Sequence, residues 1–554
     1  MYIVNNKSKS KNGRKIYSSV LLRESYREDG KVKKRTIANL TGCPQKDIDA
    51  ITLALKYKDD LSSLVSIKET LTFEQGLSFG SIHTVYQVAK ELGIVKALGT
   101  SSPAKLALWQ IISRVIEQGS RLSSVRLARS YALPEVLDIN SEFSEDDLYA
   151  NLDWLDKNQA KIEDRLFFWR QKQEKDETEI FLYDVTSSYL EGDKNYFARF
   201  GYNRDKKKGK KQIVIGLLCG VNGIPLSVEV FNGNTKDTET FGSQVQKVAD
   251  RFHCTNVTFV GDRGMIKIPQ IGQLPGNFHY ITAMTSSQIR TFIKRGVIQL
   301  ELFDENLFEV EVDSIRYIMR RNPYRRDEIR ENRKSKYESI EKFVAEKNKY
   351  LREHSRAKVE IAHRNIQTKI AKLRLKEWLQ VKSKDRHLYL DQDEIALDKV
   401  SALDGCYMLK TDLPVESASK ETIHSRYKDL SKVEFAFRTF KLNFLEVRPV
   451  FVRKQSRTKA HVFIVMLVYM ITKRLRDAWV RINLTVEEGL NHLSKITMVT
   501  AHVKGSGKFL QLSTPDKLSG ELLNKLDIHL PKILPHRKVN VVTKTKLQKR
   551  RVKR

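Results

Sequence analysis

The sequence predicts a protein of the mixed α/β class that is built from several domains. Its 554 residues are enough for three or four domains of average size, and its 40% content of hydrophobic residues is enough to give them cores. Apolar runs rich in β-branched residues are concentrated between residues 180 and 283, whereas apolar residues at helical spacing dominate before and after them. We therefore expect an α/β core, preceded by a β-hairpin module and a helical domain.

The chain carries a large excess of positive charge. It has 99 Lys and Arg residues against 67 Asp and Glu residues, which gives a formal net charge of +32. Such an excess predicts a polyanionic partner, and nucleic acid is the first candidate. The four cysteines show no paired spacing, so we expect neither a disulfide framework nor a zinc site. The longest apolar run, from Val462 to Ile471, is about half of what a helix needs to cross a bilayer, so we expect a buried core helix and no membrane segment.

The first 175 residues predict a hairpin followed by helices. Two β-type runs flank Asp29-Gly30, which is a strong signal for a tight hairpin turn. Its basic residues could contact phosphates or serve only solubility, and both readings stay open; they are Arg23, Arg27, Lys31, Lys33, Lys34 and Arg35. Several short helices are expected from about Thr84 to Leu133, and another from Glu145 to Gln171, either as DNA-binding elements or as scaffold.

The core segment predicts five strands. Three consecutive strands are expected at Ile180–Thr186, Ile213–Gly220 and Ile224–Phe231, and a helical stretch from Phe241 to Phe252 follows them. Two more strands are expected near Val257–Gly261 and His279–Ala283. The segment from 201 to 209, with its flanking Lys210 and Lys211, is a basic loop that suits contact with a DNA backbone.

Residues 327–384 contain no Gly or Pro and predict a long helix or a helical hairpin with one narrow apolar seam. Beyond the core, Lys532 to Arg554 contains ten basic residues and no acid. We expect this tail to add DNA affinity that is independent of sequence.

Two acids stand at the expected ends of core strands. Asp184 ends the first strand and Asp262 ends the fourth. A single acid at such a position is more often a cap or turn residue than a catalyst. In a fold of the ribonuclease-H type, however, these two strands lie side by side, and both carboxylates would then reach the same divalent ions.

A third acid, Glu434, lies far downstream in a predicted helix. Ser431 is a candidate N-cap of that helix, which would place Glu434 in its first turn, where an acid can simply compensate the helix dipole. Tyr427, Glu434 and Lys441 stand at Tyr-x6-Glu-x6-Lys, which makes that simple explanation the weaker one. Seven residues are about two helical turns, so we expect Glu434 and Lys441 to point into the same cleft.

Three ordered segments resemble the motifs of the DDE transposases of bacterial insertion sequences. They are Tyr183-Asp184-Val185-Thr186, Gly261-Asp262-Arg263-Gly264-Met265, and the segment from Tyr427 to Lys441. The third is similar to the branch marked by Tyr-x2-Arg-x3-Glu-x6-Lys. The hairpin sequence SYREDGKVKKRT and the tripeptide Arg448-Pro449-Val450 are also similar to this branch, so the resemblance covers most of the chain.

The resemblance implies a ribonuclease-H-like core in which Asp184, Asp262 and Glu434 are catalytic and bind two Mg²⁺ ions, for which Mn²⁺ can substitute. It implies that the enzyme cuts DNA at the inverted-repeat ends of an insertion sequence and joins them to target DNA. Residues of the second and third motifs would contact the DNA; they are Arg263, Tyr427, Arg438 and Lys441. The enzyme would act as a homodimer on DNA, in the cytoplasm and associated with the nucleoid.

One position departs from the branch. Its Arg falls on Leu430, so the phosphate contact of that Arg must be absent or supplied by a neighbour such as Arg426 or Arg438. Two other functions stay open from the sequence: a structure-specific nuclease of the ribonuclease-H type, and a DNA-binding derivative that has lost catalysis.

The predicted organisation has six segments. They are an N-terminal β-hairpin module at 1–60, a helical and possibly DNA-end-binding domain at 61–175, the first part of the catalytic core at 176–289, an insertion with long charged helices at 290–400, the second part of the core at 401–485, and a C-terminal helical region with a basic tail at 486–554.

Overall fold

The computed structural model describes residues 1–9, 16–59, 71–173, 179–205, 207–442, 445–449, 451–503, 507–531 and 534. The chain divides into two compact units. Within the described residues, the first extends over Met1–Ser78 and Ile496–Thr514 with Pro531 and Leu534, and the second extends over Phe79–Lys495 and Pro515–Leu530. The predicted basic tail from Lys532 lies almost wholly outside the described residues.

The strands are, in chain order, β1 (Tyr2–Lys9), β2 (Ile16–Glu28), β3 (Lys31–Asn39), β4 (Leu71–Phe73), β5 (Leu77–Ser78), β6 (Glu179–Tyr189), β7 (Gln212–Gly220), β8 (Pro225–Asn232), β9 (Val257–Gly261), β10 (Phe278–Ala283), β11 (Phe308–Val312), β12 (Ile315–Arg321), β13 (Leu379–Lys384), β14 (His387–Gln392), β15 (Cys406–Thr411), β16 (Thr497–Val503) and β17 (Gly507–Leu512).

The α-helices are α1 (Gln45–Lys56), α2 (Gly80–Glu91), α3 (Ile94–Leu98), α4 (Ser102–Ile116), α5 (Arg121–Arg126), α6 (Leu133–Leu137), α7 (Glu145–Gln171), α8 (Asp237–Asp250), α9 (Ile268–Ile271), α10 (Ser286–Lys294), α11 (Pro323–Glu353), α12 (Val359–Lys372), α13 (Glu394–Ser401), α14 (Lys420–Lys428), α15 (Leu430–Lys441), α16 (Gln455–Trp479), α17 (Val486–Leu493) and α18 (Lys517–Asn524). Short 3-10 helices occupy Leu127–Arg129, Leu300–Phe303 and Val480–Ile482.

The first unit contains two small antiparallel sheets. The predicted hairpin is confirmed as β2 and β3, joined at Asp29 and Gly30, whose φ angles of 51° and 74° are those of a tight turn of the hairpin type. Strand β1, which the sequence did not predict, pairs with the other edge of β2. The second sheet has the order β17-β16-β4, with β5 also paired to β16.

An eight-stranded mixed sheet organises the second unit, with the order β11-β12-β15-β10-β9-β6-β7-β8. Strands β6, β7 and β8 form the predicted antiparallel meander, and β9 pairs parallel to β6. Strand β10 continues in parallel beside β9, and β15 pairs antiparallel to β10. Strands β11 and β12 fall within the segment expected as an insertion, and they extend this same sheet through β15.

The sheet is covered by apolar helices. Strand β7 is buried along its whole length, as its continuous apolar sequence predicts for a strand covered on both faces. The predicted core helix is confirmed, because every residue from Val462 to Ile471 within α16 is buried. Among the described residues, no helix has the length and apolar character needed to cross a bilayer.

The predicted helical hairpin is confirmed as α11 and α12, whose seam buries Ile340, Ala362, Ile366 and Ile370. The expectation that helix continues to residue 384 was wrong, because Leu379–Lys384 is strand β13, paired with β14. Its first residues alternate between buried and exposed, the two-residue period of a strand.

Candidate active site

Asp184 and Asp262 come from neighbouring parallel strands. The last pair in the register of β6 with β9 is Tyr183 with Gly261, and the two acids are the next residues on each chain. Adjacent strands lie about 5 Å apart, so this register brings the two acids side by side. Asp262 follows the end of its strand, as predicted.

The expectation that Asp184 ends its strand was wrong. Strand β6 continues to Tyr189, because β7 pairs with it from Phe181 to Tyr189. Asp184 instead lies one residue beyond the last residue of β6 that pairs with β9. From Asp184 onward, β6 is still paired with β7 but no longer with β9. The acid thus lies within an interior strand of the eight-stranded sheet.

The third acid is supplied by α15, which packs on β6. This helix begins at Leu430, so Ser431 is not its N-cap and Glu434 lies beyond the first turn. Both expectations were wrong for one reason: Asp429, which separates α14 from α15, has helical angles of φ −61° and ψ −18°, so the backbone continues in a helical conformation through it. Simple compensation of the helix dipole therefore explains Glu434 poorly.

One stripe of α15 faces a cavity. Val433, Phe437 and Phe440 are buried, and Glu434, Arg438 and Lys441 follow the spacing i, i+4, i+7 of a single helical face. All three of these charged residues line the cavity, which confirms the expectation that Glu434 and Lys441 point into the same cleft.

The cavity has a volume of about 410 Å³ and brings the three acids together. Its lining residues are Asp184, Val185, Thr186, Tyr202, Arg204, Asp237, Asp262, Gly264, Met265, Glu434, Phe437, Arg438 and Lys441. Acids and cations thus line the same cavity. Asp184, Asp262 and Glu434 come from three separate elements, and the cations come from α15 and the loop after β6.

A second cavity of about 400 Å³ is lined by the same three acids, so the acids lie where the two cavities meet. Its lining residues are Asp184, Asp262, Asn322, Tyr407, His424, Tyr427, Lys428, Leu430, Ser431 and Glu434. Tyr427 lines this cavity rather than the first one. Burial, assisted by the negative charge of Asp262, raises its pKa, so the phenol keeps its proton and can act as a hydrogen-bond donor.

The acids repel one another electrostatically. The pKa of Asp184 is raised to about 7, mainly by burial and also by the charges of Asp262 and Glu434. The backbone N–H of Val185, which donates to Asp184 over 2.8 Å, and the guanidinium of Arg204 act in the opposite direction. The site therefore disfavours a third negative charge unless a cation enters.

Two of the cations around the first cavity are paired with acids. Arg204 donates to both carboxylate oxygens of Asp237 over 2.6 Å. Lys441 donates to Asp205 over 2.6 Å. Arg438 lies over the ring of Phe435, 5.8 Å from its centroid.

The donor set fits a hard divalent cation, because the three acids offer only oxygen ligands. Within the described ranges of the chain, no group of three His, Cys, Asp or Glu side chains is arranged to hold a metal ion. The acids share two cavities without forming a closed set of ligands. Their mutual repulsion at Asp184 is the feature that a cation would relieve.

The structure places Arg263 beside Asp262, where its backbone N–H donates to the Asp262 carboxylate over 2.7 Å. Its side chain is exposed and does not belong to the described lining of either cavity. Sequence reasoning missed Asp205, Asp237, Tyr407 and His424. Arg204 had a signal beyond the motifs, because it is one of the basic residues of the loop predicted to contact DNA.

The family comparisons agree with the resemblance seen in the sequence. Residues 5–64 match the IS1634 family transposase, N-terminal domain, and residues 175–471 match the transposase DDE domain. No protein with a curated description matches the chain.

Among solved structures, the chain is similar to a piggyBac transposase synaptic complex with hairpin DNA, at 8% sequence identity and a TM-score of 0.28. The match covers 57% of this chain and 51% of that chain, so the chain spans about half the length of that relative. The DDE match extends over more than half of the 554 residues and includes all three acids. The chain therefore belongs to the DDE transposases of insertion sequences.

Proposed function

We propose that this protein cuts DNA at the ends of an insertion sequence and joins the freed ends to target DNA by phosphoryl transfer. The observation that carries the proposal is the convergence of Asp184, Asp262 and Glu434 on one cavity that is also lined by Arg204, Arg438 and Lys441. Carboxylates suit the binding of divalent cations, and Arg and Lys suit the binding of phosphate. One site thus offers both chemistries that the reaction requires.

The proposal assigns a ribonuclease-H-like core to residues 176–289 and 401–485, with residues 290–400 inserted between them. Support comes from the parallel pairing of β6 with β9 and from the return of the chain to the same sheet at β15. The helical segment at 61–175 and the C-terminal segment at 486–554 flank this core, and the segment at 1–60 forms the N-terminal module.

Asp184, Asp262 and Glu434 would hold the divalent cations, with Mg²⁺ preferred and Mn²⁺ able to replace it. Cations bound there would supply two kinds of chemistry: activation of the attacking oxygen, which is water in cleavage and the freed 3′-OH in joining, and stabilisation of the leaving 3′ oxygen.

The remaining residues orient the DNA. Lys441 and Arg438 would contact phosphates near the scissile bond, since both follow Glu434 on the same face of α15. Tyr427 would donate its phenol O–H from the second cavity, and Arg263 would contact the backbone from the surface beside Asp262. A homodimer bound to two inverted-repeat ends, in the cytoplasm and on the nucleoid, completes the proposal.

A strand-transfer assay tests this function. The full-length protein is incubated with a labelled DNA duplex that carries one cloned element end, a supercoiled target plasmid and Mg²⁺. We expect cleavage at the element end and joining of its 3′ end to the plasmid. Cleavage without joining would indicate a structure-specific nuclease instead, and binding without cleavage would indicate a derivative that has lost catalysis.

Variants of the acids make this test specific. Glu434→Gln and Asp262→Asn should abolish both steps while leaving binding of the element end nearly unchanged, because each substitution removes a cation ligand and leaves the basic residues in place. Asp193→Asn is the matched control, since Asp193 is an exposed acid outside both cavities. Normal joining by the Glu434→Gln enzyme would contradict the proposed site.

A further inference from the structure

The outer part of the hairpin formed by β2 and β3, from Arg23 to Thr36, is a two-stranded segment that we call the ribbon. Strand β1 pairs with β2 only as far as Arg23, opposite Tyr2. From Glu24 onward, β2 pairs with β3 alone among the described strands, down to the turn at Asp29 and Gly30. Every residue from Ser25 to Ile37 is exposed, so both faces of the ribbon are open to solvent.

The register assigns the charges of the ribbon to two different faces. Side chains that are directly opposite in an antiparallel pair lie on the same face, and neighbours along a strand alternate. The pairs Glu24 with Arg35, Tyr26 with Lys33 and Glu28 with Lys31 share one face, which we call the paired face. The pairs Arg23 with Thr36, Ser25 with Lys34 and Arg27 with Val32 share the other, which we call the basic face.

Cations on the paired face are largely neutralised. Arg35 forms an ion pair with Glu24 at 2.7 Å, and Lys33 forms one with Glu28 at 2.8 Å. The guanidinium of Arg35 also lies 5.5 Å from the ring centroid of Tyr26. Three basic residues and two acids leave this face with one surplus charge.

The basic face carries three cations and no acid. Arg23, Arg27 and Lys34 lie on it with Ser25, Val32 and Thr36, and the acids of the ribbon stand on the paired face or at the turn residue Asp29. Within the described part of the chain, none of these three cations forms an ion pair. A role in solubility would be served by charge on either face, so it does not explain this separation.

We propose that the ribbon from Arg23 to Thr36 docks on double-stranded DNA through its basic face. This inference rests on the proposed function, which supplies DNA as the polyanion. The major groove of B-form DNA is wide enough to admit a two-stranded ribbon, and cations on the face turned inward would then meet the phosphates that border the groove. Exposure of both faces gives the ribbon the slender shape that entry into a groove requires.

The test compares two double substitutions that remove the same charge. Arg27→Ala with Lys34→Ala removes two cations from the basic face, and Lys31→Ala with Lys33→Ala removes two from the paired face. Binding of the full-length proteins to a fluorescent duplex with one element end, and to an unrelated duplex, is measured by anisotropy over a range of salt concentrations. Thermal unfolding of each variant checks that it is folded, which we expect because all four positions are exposed.

The basic-face variant should lose about two phosphate contacts, which lowers the slope of log affinity against log salt by about 1.8. Its affinity should fall about tenfold or more, whereas the paired-face variant should change about twofold or less. Equal losses in the two variants would overturn the proposal, because only net charge would then matter. An unchanged basic-face variant would also overturn it.

A duplex of RNA provides a further discrimination, because the major groove of A-form RNA is too deep and narrow for a ribbon. Equal losses of RNA and DNA affinity in the basic-face variant would contradict docking in the groove.

These binding measurements are separable from the test of the proposed catalytic function. If the ribbon variants bind normally while the wild-type protein still cuts and joins element ends, the ribbon inference alone fails. If the ribbon effect is present and no cutting occurs, the proposed function alone fails.

Discussion

The ammonium group of Lys441 donates to a carboxylate oxygen of Asp205 over 2.6 Å, and this ion pair joins the end of α15 to the basic loop after β6. Asp205 is held in place from the other side by the backbone N–H of Tyr189, which donates to it over 3.3 Å. Both charged side chains are less than one-third exposed. In the absence of DNA, an internal acid therefore occupies the place on Lys441 that we assign to a phosphate.

This pairing predicts that Asp205 competes with DNA for Lys441. Asp205→Asn should strengthen binding of the element end about fivefold, which corresponds to about 1 kcal/mol for a partly exposed ion pair. Lys441→Ala should weaken binding of the cleaved end and slow joining, because the phosphate contact is lost. Affinities from titration of a labelled end, with the rate of joining measured separately, check both statements.

The double variant provides the control for that competition. If Asp205 acts through Lys441, the gain from Asp205→Asn should disappear in a Lys441→Ala background, since the two residues share one interaction. A gain that persists there would show that Asp205 repels DNA directly. Unchanged joining by Lys441→Ala would assign this lysine to the solvated surface instead.

The raised pKa of Asp184 predicts a pH-dependent cost to stability. Its folded-state pKa of about 7 exceeds its ordinary value of 3.8, so the folded protein binds the proton more tightly than the unfolded chain does. The cost of the ionised carboxylate is therefore absent below about pH 4, grows as the pH rises to about 7, and is constant above that.

Asp184→Asn should accordingly stabilise the metal-free protein at about pH 8 and have no stabilising effect near pH 4. A shift of this size is worth at most about 4 kcal/mol, and solvent in the cavity should reduce the gain to about 1 kcal/mol. Denaturant unfolding in the presence of a chelator, at several pH values, measures it, with Asp193→Asn as the exposed control. A gain that is largest at acidic pH would refute the assignment.

Arg316 stabilises the segment that precedes α14, a helix that lines the second cavity. It is 2% exposed, and it donates to the carbonyl oxygens of Leu413, Pro414 and Ala418 while pairing with Glu309. It thereby ties β12 to the segment that leads into α14, the helix that carries Tyr427.

Arg316→Ala should lower the free energy of unfolding by about 3 to 5 kcal/mol, because a half-buried acid and three carbonyl groups lose their donor. The exposed Arg325, which pairs with Glu328 one turn along α11, is the matched control, and Arg325→Ala should cost about 0.5 kcal/mol or less. Equal and small losses in the two variants would mean that water replaces the guanidinium of Arg316.

The sequence predicted the centre of the sheet well for a physical reason. A strand that is buried on both faces must be apolar throughout, and β7 therefore stands out as a continuous run. The two acids could be placed together because their strands lie side by side in a fold of the ribonuclease-H type, and β6 and β9 do end their mutual pairing next to these acids. The charged residues of α15 followed from the third motif, and helical spacing placed Glu434 and Lys441 on one face.

The rest depended on contacts that sequence patterns do not encode. Strands β11 and β12 join the sheet only through β15, which lies almost a hundred residues further along the chain. Asp205 forms an ion pair with Lys441, and Asp237 forms one with Arg204. No local sequence motif identifies such partners, because they lie far apart along the chain. The start of α15 was misplaced because Asp429 adopts helical angles, which tertiary packing decides and a capping preference does not.

The last prediction tests whether Asp262 is a ligand of the divalent cation. Asp262→Cys replaces a hard oxygen ligand by a soft sulfur ligand, which Mg²⁺ accepts poorly and which Mn²⁺ or Cd²⁺ accepts better. Cleavage of the element end by this variant should fall about a hundredfold or more in Mg²⁺ and recover at least in part in Mn²⁺ or Cd²⁺.

Asp237→Cys is the matched control, because Asp237 lines the same cavity but is engaged by Arg204 through both carboxylate oxygens. Its activity should show no dependence on the softer metals beyond that of the wild type. The assignment fails if Asp262→Cys is equally inactive with every metal, or if Asp237→Cys shows the same rescue. A rescue that is confined to Asp262→Cys places the cation at Asp262, where β9 ends beside Asp184.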